Sequence, residues 1–213
     1  MTKTTIKTII FDFDGTIADT MPLIFRIYNE HAEKFGIPRL TRNETEKLRA
    51  MTPKEIIKIF RVSLLKFLFI VAKMRKILNS RIQQAKLFFG IRKMLKRLKQ
   101  QGIRIGILSS NSQENIEKFL RINNLMLFNF IHSELNIFAK ARALKNLIKR
   151  YNLAREDVIY VGDEVRDIDA CKKNGVKIIS VTWGFNKKEI LQKNKPDYLV
   201  DKLQEILKIV DKN

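Results

Sequence analysis

The chain has 213 residues, of which 45% are hydrophobic and 30% charged. This composition is typical of a globular protein with a sizeable core and excludes collagen-like, fibrous and largely disordered chains. A single cysteine excludes an internal disulfide, and the apolar run near the start is too short for a secretory signal peptide, so we expect a cytoplasmic protein without membrane insertion.

The charge of the chain is strongly unbalanced, because 42 lysines and arginines face 22 acidic residues and give a net charge of +20. No acidic residue lies between Glu55 and Glu114. We interpret most of this excess as solvated helix faces. The alternative is a basic surface that attracts an anionic substrate or nucleic acid, although no zinc-finger or aromatic-rich RNA-binding pattern accompanies it.

The first predicted element is a short, buried strand over residues 6–11, which is apolar and β-branched. Apolar residues then recur at helical spacing, which predicts helices over residues 20–35, 42–51, 53–74, 76–89 and 91–101. The stretch 21–89 contains only helical patterns. We therefore predict that it is a helical insertion, a cap, placed after the first strand.

Strands and helices alternate in the rest of the chain. The predicted strands cover residues 103–108, 128–131, 158–161 and 177–181, with a last one ending near residue 199. Such alternation predicts a parallel sheet covered on both faces. The expected fold is therefore α/β, a doubly wound, Rossmann-like sheet in a core domain of residues 1–20 and 90–213, with the α-helical cap over residues 21–89.

Polar side chains follow the predicted strands, at the edge where open α/β sheets bind ligands. The segments are Asp12-Phe13-Asp14-Gly15-Thr16, Ser109-Ser110-Asn111 and Gly162-Asp163-Glu164-Val165-Arg166-Asp167, and Lys140 begins a helix between the last two. Carboxylates gathered at one edge repel each other unless a cation neutralises them, and oxygen ligands without histidine or cysteine favour Mg²⁺. The Ser109 hydroxyl and the Lys140 ammonium suit a transferring phosphoryl group, and a carboxylate nucleophile beside them can form an aspartyl-phosphate.

In their order along the chain, these segments resemble the four motifs of the haloacid dehalogenase superfamily. The motifs correspond to Asp12-Phe13-Asp14-Gly15-Thr16, Ser109, Lys140 and Gly162-Asp163-x-x-x-Asp167. The continuation Val181-Thr182-Trp183-Gly184-Phe185 and the helical cap resemble the phosphoglycolate-phosphatase-like branch of that superfamily. The resemblance covers nearly the whole chain.

The resemblance implies a role for each of these residues. Asp12 is the nucleophile, Asp14 protonates the leaving oxygen and then deprotonates water, and Lys140 offsets the negative charge of nucleophile and phosphate. The residues implied to surround the phosphoryl group are Gly15, Thr16, Ser109, Ser110 and Asn111. The residues implied to hold Mg²⁺ are Asp12, Asp14 through its backbone carbonyl, Asp163, and Asp167 either as a ligand or as a partner that orients water or Lys140.

The activity implied by the resemblance is that of a Mg²⁺-dependent phosphatase acting on a small phosphorylated metabolite, either phosphoglycolate-like or a sugar phosphate, through an aspartyl-phosphate. The alternatives are a sugar phosphomutase of the same family and a polynucleotide-binding or end-phosphatase protein that uses the basic surface. Arg49 in the cap is a candidate for contacting a substrate carboxylate or second phosphate, whereas the favoured interpretation is a solvated helix face. We expect a monomer or a homodimer.

Overall fold

A parallel sheet of six strands forms the centre of the computed structural model, which describes residues 6–212. The strands of this sheet are β1 (Thr8–Phe11), β4 (Arg104–Ser109), β5 (Phe130–Ser133), β6 (Val158–Gly162), β7 (Lys177–Val181) and β8 (Tyr198–Val200). Their spatial order is β5-β4-β1-β6-β7-β8, and every neighbouring pair is parallel. This arrangement confirms the predicted α/β, Rossmann-like sheet.

Helices cover both faces of the sheet. Their bounds are α1 (Met21–His31), α2 (Arg42–Leu48), α3 (Pro53–Ile59), α4 (Leu64–Arg81), α5 (Ile91–Gln100), α6 (Gln113–Ile122), α7 (Lys140–Arg150), α8 (Val165–Asn174), α9 (Lys188–Lys193) and α10 (Leu203–Lys212). One apolar cluster joins the sheet to α5, α6 and α10, and the other joins it to α7, α8 and α9. Across residues 6–212, none of the helices has both the length and the apolar character that a membrane crossing requires.

The helical insertion, residues 21–89, packs on the first of these clusters. Ile27 of α1 and Ile82, just after α4, are fully buried together with sheet residues. Two short antiparallel strands, β2 (Ala18–Asp19) and β3 (Lys86–Leu87), pair with each other at the two ends of the insertion. The chain therefore enters and leaves the α1–α4 segment through two strands that lie next to each other. The division into cap and core at residues 20 and 90 stays a prediction.

Two predicted helices of the insertion are wrong in their bounds. The pattern over 53–74 predicts one helix, but α3 ends at Ile59 and α4 begins at Leu64. Arg61 adopts a left-handed conformation with φ of 48°, and the Ser63 hydroxyl accepts a hydrogen bond from the amide of Lys66, which begins a new helix. Periodicity alone cannot detect this break, because the apolar residues continue across it.

The predicted helix over 76–89 is also wrong, because α4 continues to Arg81 and the chain then turns into β3. A strand of two residues is too short to show an alternating pattern. The predicted strand over 128–131 is shifted to Phe130–Ser133, and helix α9 is an element that the pattern did not predict. These differences leave the order of the sheet strands unchanged.

Candidate active site

Three buried carboxylates meet at the edge of the sheet where the central strands end. Asp12 follows β1, Asp163 follows β6, and Asp167 lies in the first turn of α8. Each offers an oxygen atom, and these oxygens lie within 4.8 Å of one another. The parallel pairing of β1 with β6 brings Asp12 and Asp163 side by side, as the sequence predicts.

The ammonium group of Lys140 partly neutralises this cluster. Its Nζ lies 2.6 Å from Oδ2 of Asp12 and also contacts Oδ1 of Asp167. Burial alone would lower the pKa of Lys140, but the two carboxylates hold it above its ordinary value. Asp167 is oriented from its other side, because its Oδ2 accepts a hydrogen bond of 3.0 Å from the amide of Glu164 at the start of α8.

Asp163 is enclosed by small residues and hydrogen-bond donors. The Thr16 hydroxyl donates to its Oδ1 at 2.7 Å, and the Phe185 amide donates to its Oδ2 at 2.7 Å. A Cβ atom at Gly15 or at Gly184 would lie 2.3 Å from Oδ2 of Asp163, so only glycine allows this approach. Gly15 and Thr16 therefore support Asp163, and their predicted contact with phosphate stays a prediction.

The donor set of this cluster suits a hard divalent cation. Burial raises the pKa of Asp163 well above its usual range, and the nearby carboxylates of Glu164, Asp12 and Asp167 raise it further. A cation bound here would oppose both effects, because it would stabilise the ionised carboxylates. Buried carboxylate oxygens are the ligands that Mg²⁺ prefers, so the residues fit the predicted metal.

Asp14 lies beside this cluster in a half-buried position. Asn111 Nδ2 donates to both of its carboxylate oxygens, at 3.2 and 3.0 Å. Burial raises the pKa of Asp14 to about 6, and the charge of Asp12 adds to the increase. A carboxyl group that titrates near neutral pH can both give and take a proton, which is what the predicted general acid–base requires.

The loop after β4 places the predicted phosphate-binding residues next to Asp14. Ser109 is buried, and its Oγ accepts a hydrogen bond of 3.1 Å from the backbone N–H of Asn111. Ser110 Oγ accepts one of 3.1 Å from Nη2 of Arg166. The loop is thus held beside Asp14 by Asn111 and beside Arg166 by Ser110, whereas its contact with a phosphoryl group stays a prediction.

Two arginines near Asp14 are absent from the residues predicted for the site. Arg166 lies on α8 between the two motif aspartates, and Arg75 lies on α4 within the acid-free stretch. Asp14 lines two cavities of about 190 and 230 Å³, of which the first is also lined by Arg75 and the second by Arg166. The position of Arg166 inside the fourth motif was a usable signal, but no pattern indicates that Arg75 reaches the site.

Arg49 is bound to the core in a way that the sequence did not suggest. Its Nε donates to the Phe185 carbonyl at 2.9 Å, its Nη2 to the Gly184 carbonyl at 3.0 Å, and its Nη1 pairs with Glu46 at 3.0 Å. The guanidinium therefore fastens the helical insertion to the loop that holds Asp163. It is not the solvated side chain that the sequence favours, and a contact with substrate stays a prediction.

Known proteins resemble this chain over nearly its full length. The profile of the haloacid dehalogenase-like hydrolase family matches residues 9–181. A phosphoglycolate phosphatase of Synechococcus elongatus is 34% identical over 205 residues, which cover 96% of this chain and 97% of that protein. A putative pyrophosphatase PpaX of Caldanaerobacter subterraneus is 26% identical over 226 residues, which cover 96% of this chain and 94% of that protein.

Solved structures agree with the fold. A predicted phosphatase of Clostridium acetobutylicum superposes with a TM-score of 0.85, covering 97% of this chain and 99% of that chain. The identity between the two sequences is 21%, so this likeness concerns the arrangement of the backbone.

Proposed function

Because the chain belongs to the haloacid dehalogenase-like hydrolase family, we propose that it is a Mg²⁺-dependent phosphatase that acts on a small phosphorylated metabolite through an aspartyl-phosphate. The family and the phosphoglycolate phosphatase relative indicate that this chain is a phosphoric monoester hydrolase. The substrate, the metal and the covalent intermediate are the proposed parts. The observation that carries them is the meeting of the Asp12, Asp163 and Asp167 carboxylates, with the Lys140 ammonium in contact with Asp12 and Asp167.

In the proposed first step, a carboxylate oxygen of Asp12 forms a bond to phosphorus as the bond from phosphorus to the ester oxygen breaks. Lys140 donates a hydrogen bond to the Asp12 carboxylate and offsets the charge of the incoming phosphate. Asp14, held by Asn111, donates its proton to the leaving oxygen. The products of this step are the free alcohol and an aspartyl-phosphate.

In the second step, Asp14 takes a proton from a water molecule whose oxygen bonds to the same phosphorus, and the Asp12 carboxylate leaves. When bound, Mg²⁺ supplies positive charge that reduces the repulsion between the carboxylates and the phosphate. Asp12, Asp163 and Asp167 would hold it, together with the backbone carbonyl of Asp14. Because Asp14 takes this proton from water, it is again protonated at the end of each turnover.

The proposed substrate is phosphoglycolate-like. The relative with 34% identity is named a phosphoglycolate phosphatase, and the cavities beside Asp14, at about 190 and 230 Å³, favour a small leaving group. A sugar phosphate is the other member of the predicted substrate class, so both belong in the assay.

The test is phosphate release from a panel of phosphorylated compounds by the wild-type chain and by Asp12→Asn, with Mg²⁺ and with a chelator. The panel holds phosphoglycolate, hexose phosphates, pyrophosphate and a 5′-phosphorylated oligonucleotide. We expect metal-dependent release that Asp12→Asn lowers by ~10³-fold or more, as is usual when a nucleophile is removed. Asp169→Asn, an exposed aspartate on α8, is the control for the change of charge and keeps full activity.

The products distinguish the alternatives. Unchanged phosphate release by Asp12→Asn would refute the aspartyl-phosphate. An isomerised hexose phosphate in place of free phosphate would identify a phosphomutase, and a preference for the oligonucleotide would identify an end-phosphatase.

A further inference from the structure

Two cationic side chains reach the place where the leaving group must lie. The proton that Asp14 gives to the leaving oxygen requires this group to be next to Asp14, which lines both cavities described above. Arg75 lines the first cavity, and Arg166 lines the second. The two cavities also share Ile24 and Ser110, so they adjoin around the same carboxyl group.

Arg166 has hydrogen-bonding capacity that its protein partners leave unused. Its Nη2 donates to Glu164 at 2.6 Å and to Ser110 at 3.1 Å, and its Nη1 reaches only the Ile137 carbonyl at 3.5 Å. Its Nε is buried and has no hydrogen-bond partner among the described residues. A buried donor without a partner is costly, so a ligand oxygen at this guanidinium would stabilise it.

Arg75 extends from the helical insertion toward the core and is half-buried. Its Nη2 donates to the backbone carbonyl of Leu135 at 2.9 Å and not to a carboxylate. Burial lowers the pKa of Arg75, the charge of Asp14 opposes this change, and the charge of Arg166 adds to it. The cavities that the two guanidinium groups line also adjoin at Asp14 and Ser110, so an anion bound at this junction would lie near both positive charges.

The wall of the first cavity that the helical insertion provides is largely apolar. It includes Ile24, Ile27, Val71 and Met74, so Arg75 is the charged side chain that the insertion contributes to this cavity. Its volume of about 190 Å³ corresponds to roughly six water molecules, given about 30 Å³ for each in the liquid. A leaving group of few heavy atoms fits this space, and one with a negative charge matches its arginine.

We propose that Arg75 and Arg166 together bind a second anionic group, a carboxylate or a second phosphate, that the substrate carries within a few bonds of the ester oxygen. This inference rests on the proposed phosphatase function and specifies its substrate class. Arg166 is already paired with Glu164, but a neutral sugar would leave Arg75, which donates to a backbone carbonyl, without a ligand counter-charge, so we expect sugar phosphates to be poor substrates. Arg75 is then the residue by which the helical insertion selects the substrate.

The experiment compares two esters that differ only at the group in question. Phosphoglycolate carries a carboxylate where ethyl phosphate carries a methyl group, and pyrophosphate offers a second phosphate instead. The values of kcat/KM are measured for the wild type, Arg75→Met, Arg75→Lys and the control Lys76→Met. Lys76 is the exposed neighbour on the same helix, so its variant removes the same charge outside the cavity.

We expect Arg75→Met to lower kcat/KM for phosphoglycolate by about 10- to 100-fold, which is the usual effect of losing a charged hydrogen bond. Ethyl phosphate should change by less than about twofold, because it makes no contact with the guanidinium. Arg75→Lys should retain part of the preference for phosphoglycolate over ethyl phosphate. Lys76→Met should have the kcat/KM values of the wild type for both esters. Retained hydrolysis of ethyl phosphate also shows that the variant is folded.

Each outcome decides between the two proposals. The anion-binding pair would be overturned if Arg75→Met lowered kcat/KM equally for phosphoglycolate and ethyl phosphate. It would also be overturned if the wild type had the same kcat/KM for both esters. Either result would leave the phosphatase function intact. Absence of turnover with every ester would overturn both. A preference for pyrophosphate over phosphoglycolate would support the pair and identify a second phosphate as the bound group.

Discussion

The ammonium of Lys140 lies 2.6 Å from the carboxylate of Asp12, although 128 positions separate the two residues in the chain. Both side chains are almost completely buried, with exposures of 6% and 2%. One ammonium thus shares a buried site with several carboxylates, and the balance of these charges affects stability as well as chemistry.

Replacing this ammonium should destabilise the metal-free protein. We expect Lys140→Met to lower the free energy of unfolding by ~3–5 kcal/mol, because it leaves buried carboxylates without their cation. Urea denaturation with and without Mg²⁺ measures this loss, and Mg²⁺ should restore part of it. Lys145→Met, at an exposed position of the same helix, should stay within about 0.5 kcal/mol of the wild type. A Lys140 variant as stable as this control would contradict the expected charge balance.

Magnesium should stabilise the folded chain. A ligand that binds only the native state adds ~2.7 kcal/mol to its stability at a concentration of one hundred times Kd. The wild type should therefore melt at a higher temperature in Mg²⁺ than in chelator, and Asp163→Asn should lose most of this increase. Asp169→Asn serves as the control and should respond to Mg²⁺ as the wild type does. Equal responses of the Asp163 and Asp169 variants would place the cation elsewhere.

A methyl group at Gly184 should disturb Asp163 directly. The added Cβ would lie 2.3 Å from both Cβ and Oδ2 of Asp163, so the carboxylate must move. We expect Gly184→Ala to weaken Mg²⁺ binding by about 10- to 100-fold, comparable to the loss of a residue that orients a metal ligand. Titration calorimetry measures the affinity.

The matched control for that substitution is Gly102→Ala. Gly102 has a positive φ of 77°, but its Cβ would meet no atom within 4 Å. We therefore expect Gly102→Ala to lower the free energy of unfolding by about 1–2 kcal/mol through backbone strain and to leave the Mg²⁺ affinity unchanged. Comparable losses of affinity in both glycine variants would show that general destabilisation, and not the contact with Asp163, is responsible.

Arg49 should act on all substrates alike. Its hydrogen bonds to the carbonyls of Gly184 and Phe185 fasten the helical insertion to the loop whose amide holds Asp163. We expect Arg49→Met to lower kcat/KM by about 10-fold for phosphoglycolate and ethyl phosphate equally. Arg42→Met, an exposed arginine of the insertion, is the control and should leave both values unchanged. A selective loss on phosphoglycolate would instead support the substrate contact that the sequence suggests.

The sequence by itself determined the fold class and the position of the acidic cluster. Buried strands with polar residues directly after them can be recognised locally, and parallel pairing necessarily gathers their ends at one edge. This argument indicates Asp12 and Asp163, whereas Lys140 begins a helix and is indicated only by its conjunction with the other motifs. The family resemblance added roles to these residues, and the family itself is confirmed.

Only the tertiary structure decided what the helical insertion contributes. The break between α3 and α4 depends on the backbone of Arg61, and the pairing of β2 with β3 joins segments far apart in the chain. The positions of Arg49 and Arg75 depend on how α2 and α4 pack against the core. Helical periodicity specifies which face of a helix is apolar, but not which distant carbonyl or carboxylate its charged residues will meet. Those contacts arise from packing between elements, and the proposed specificity of the site depends on them.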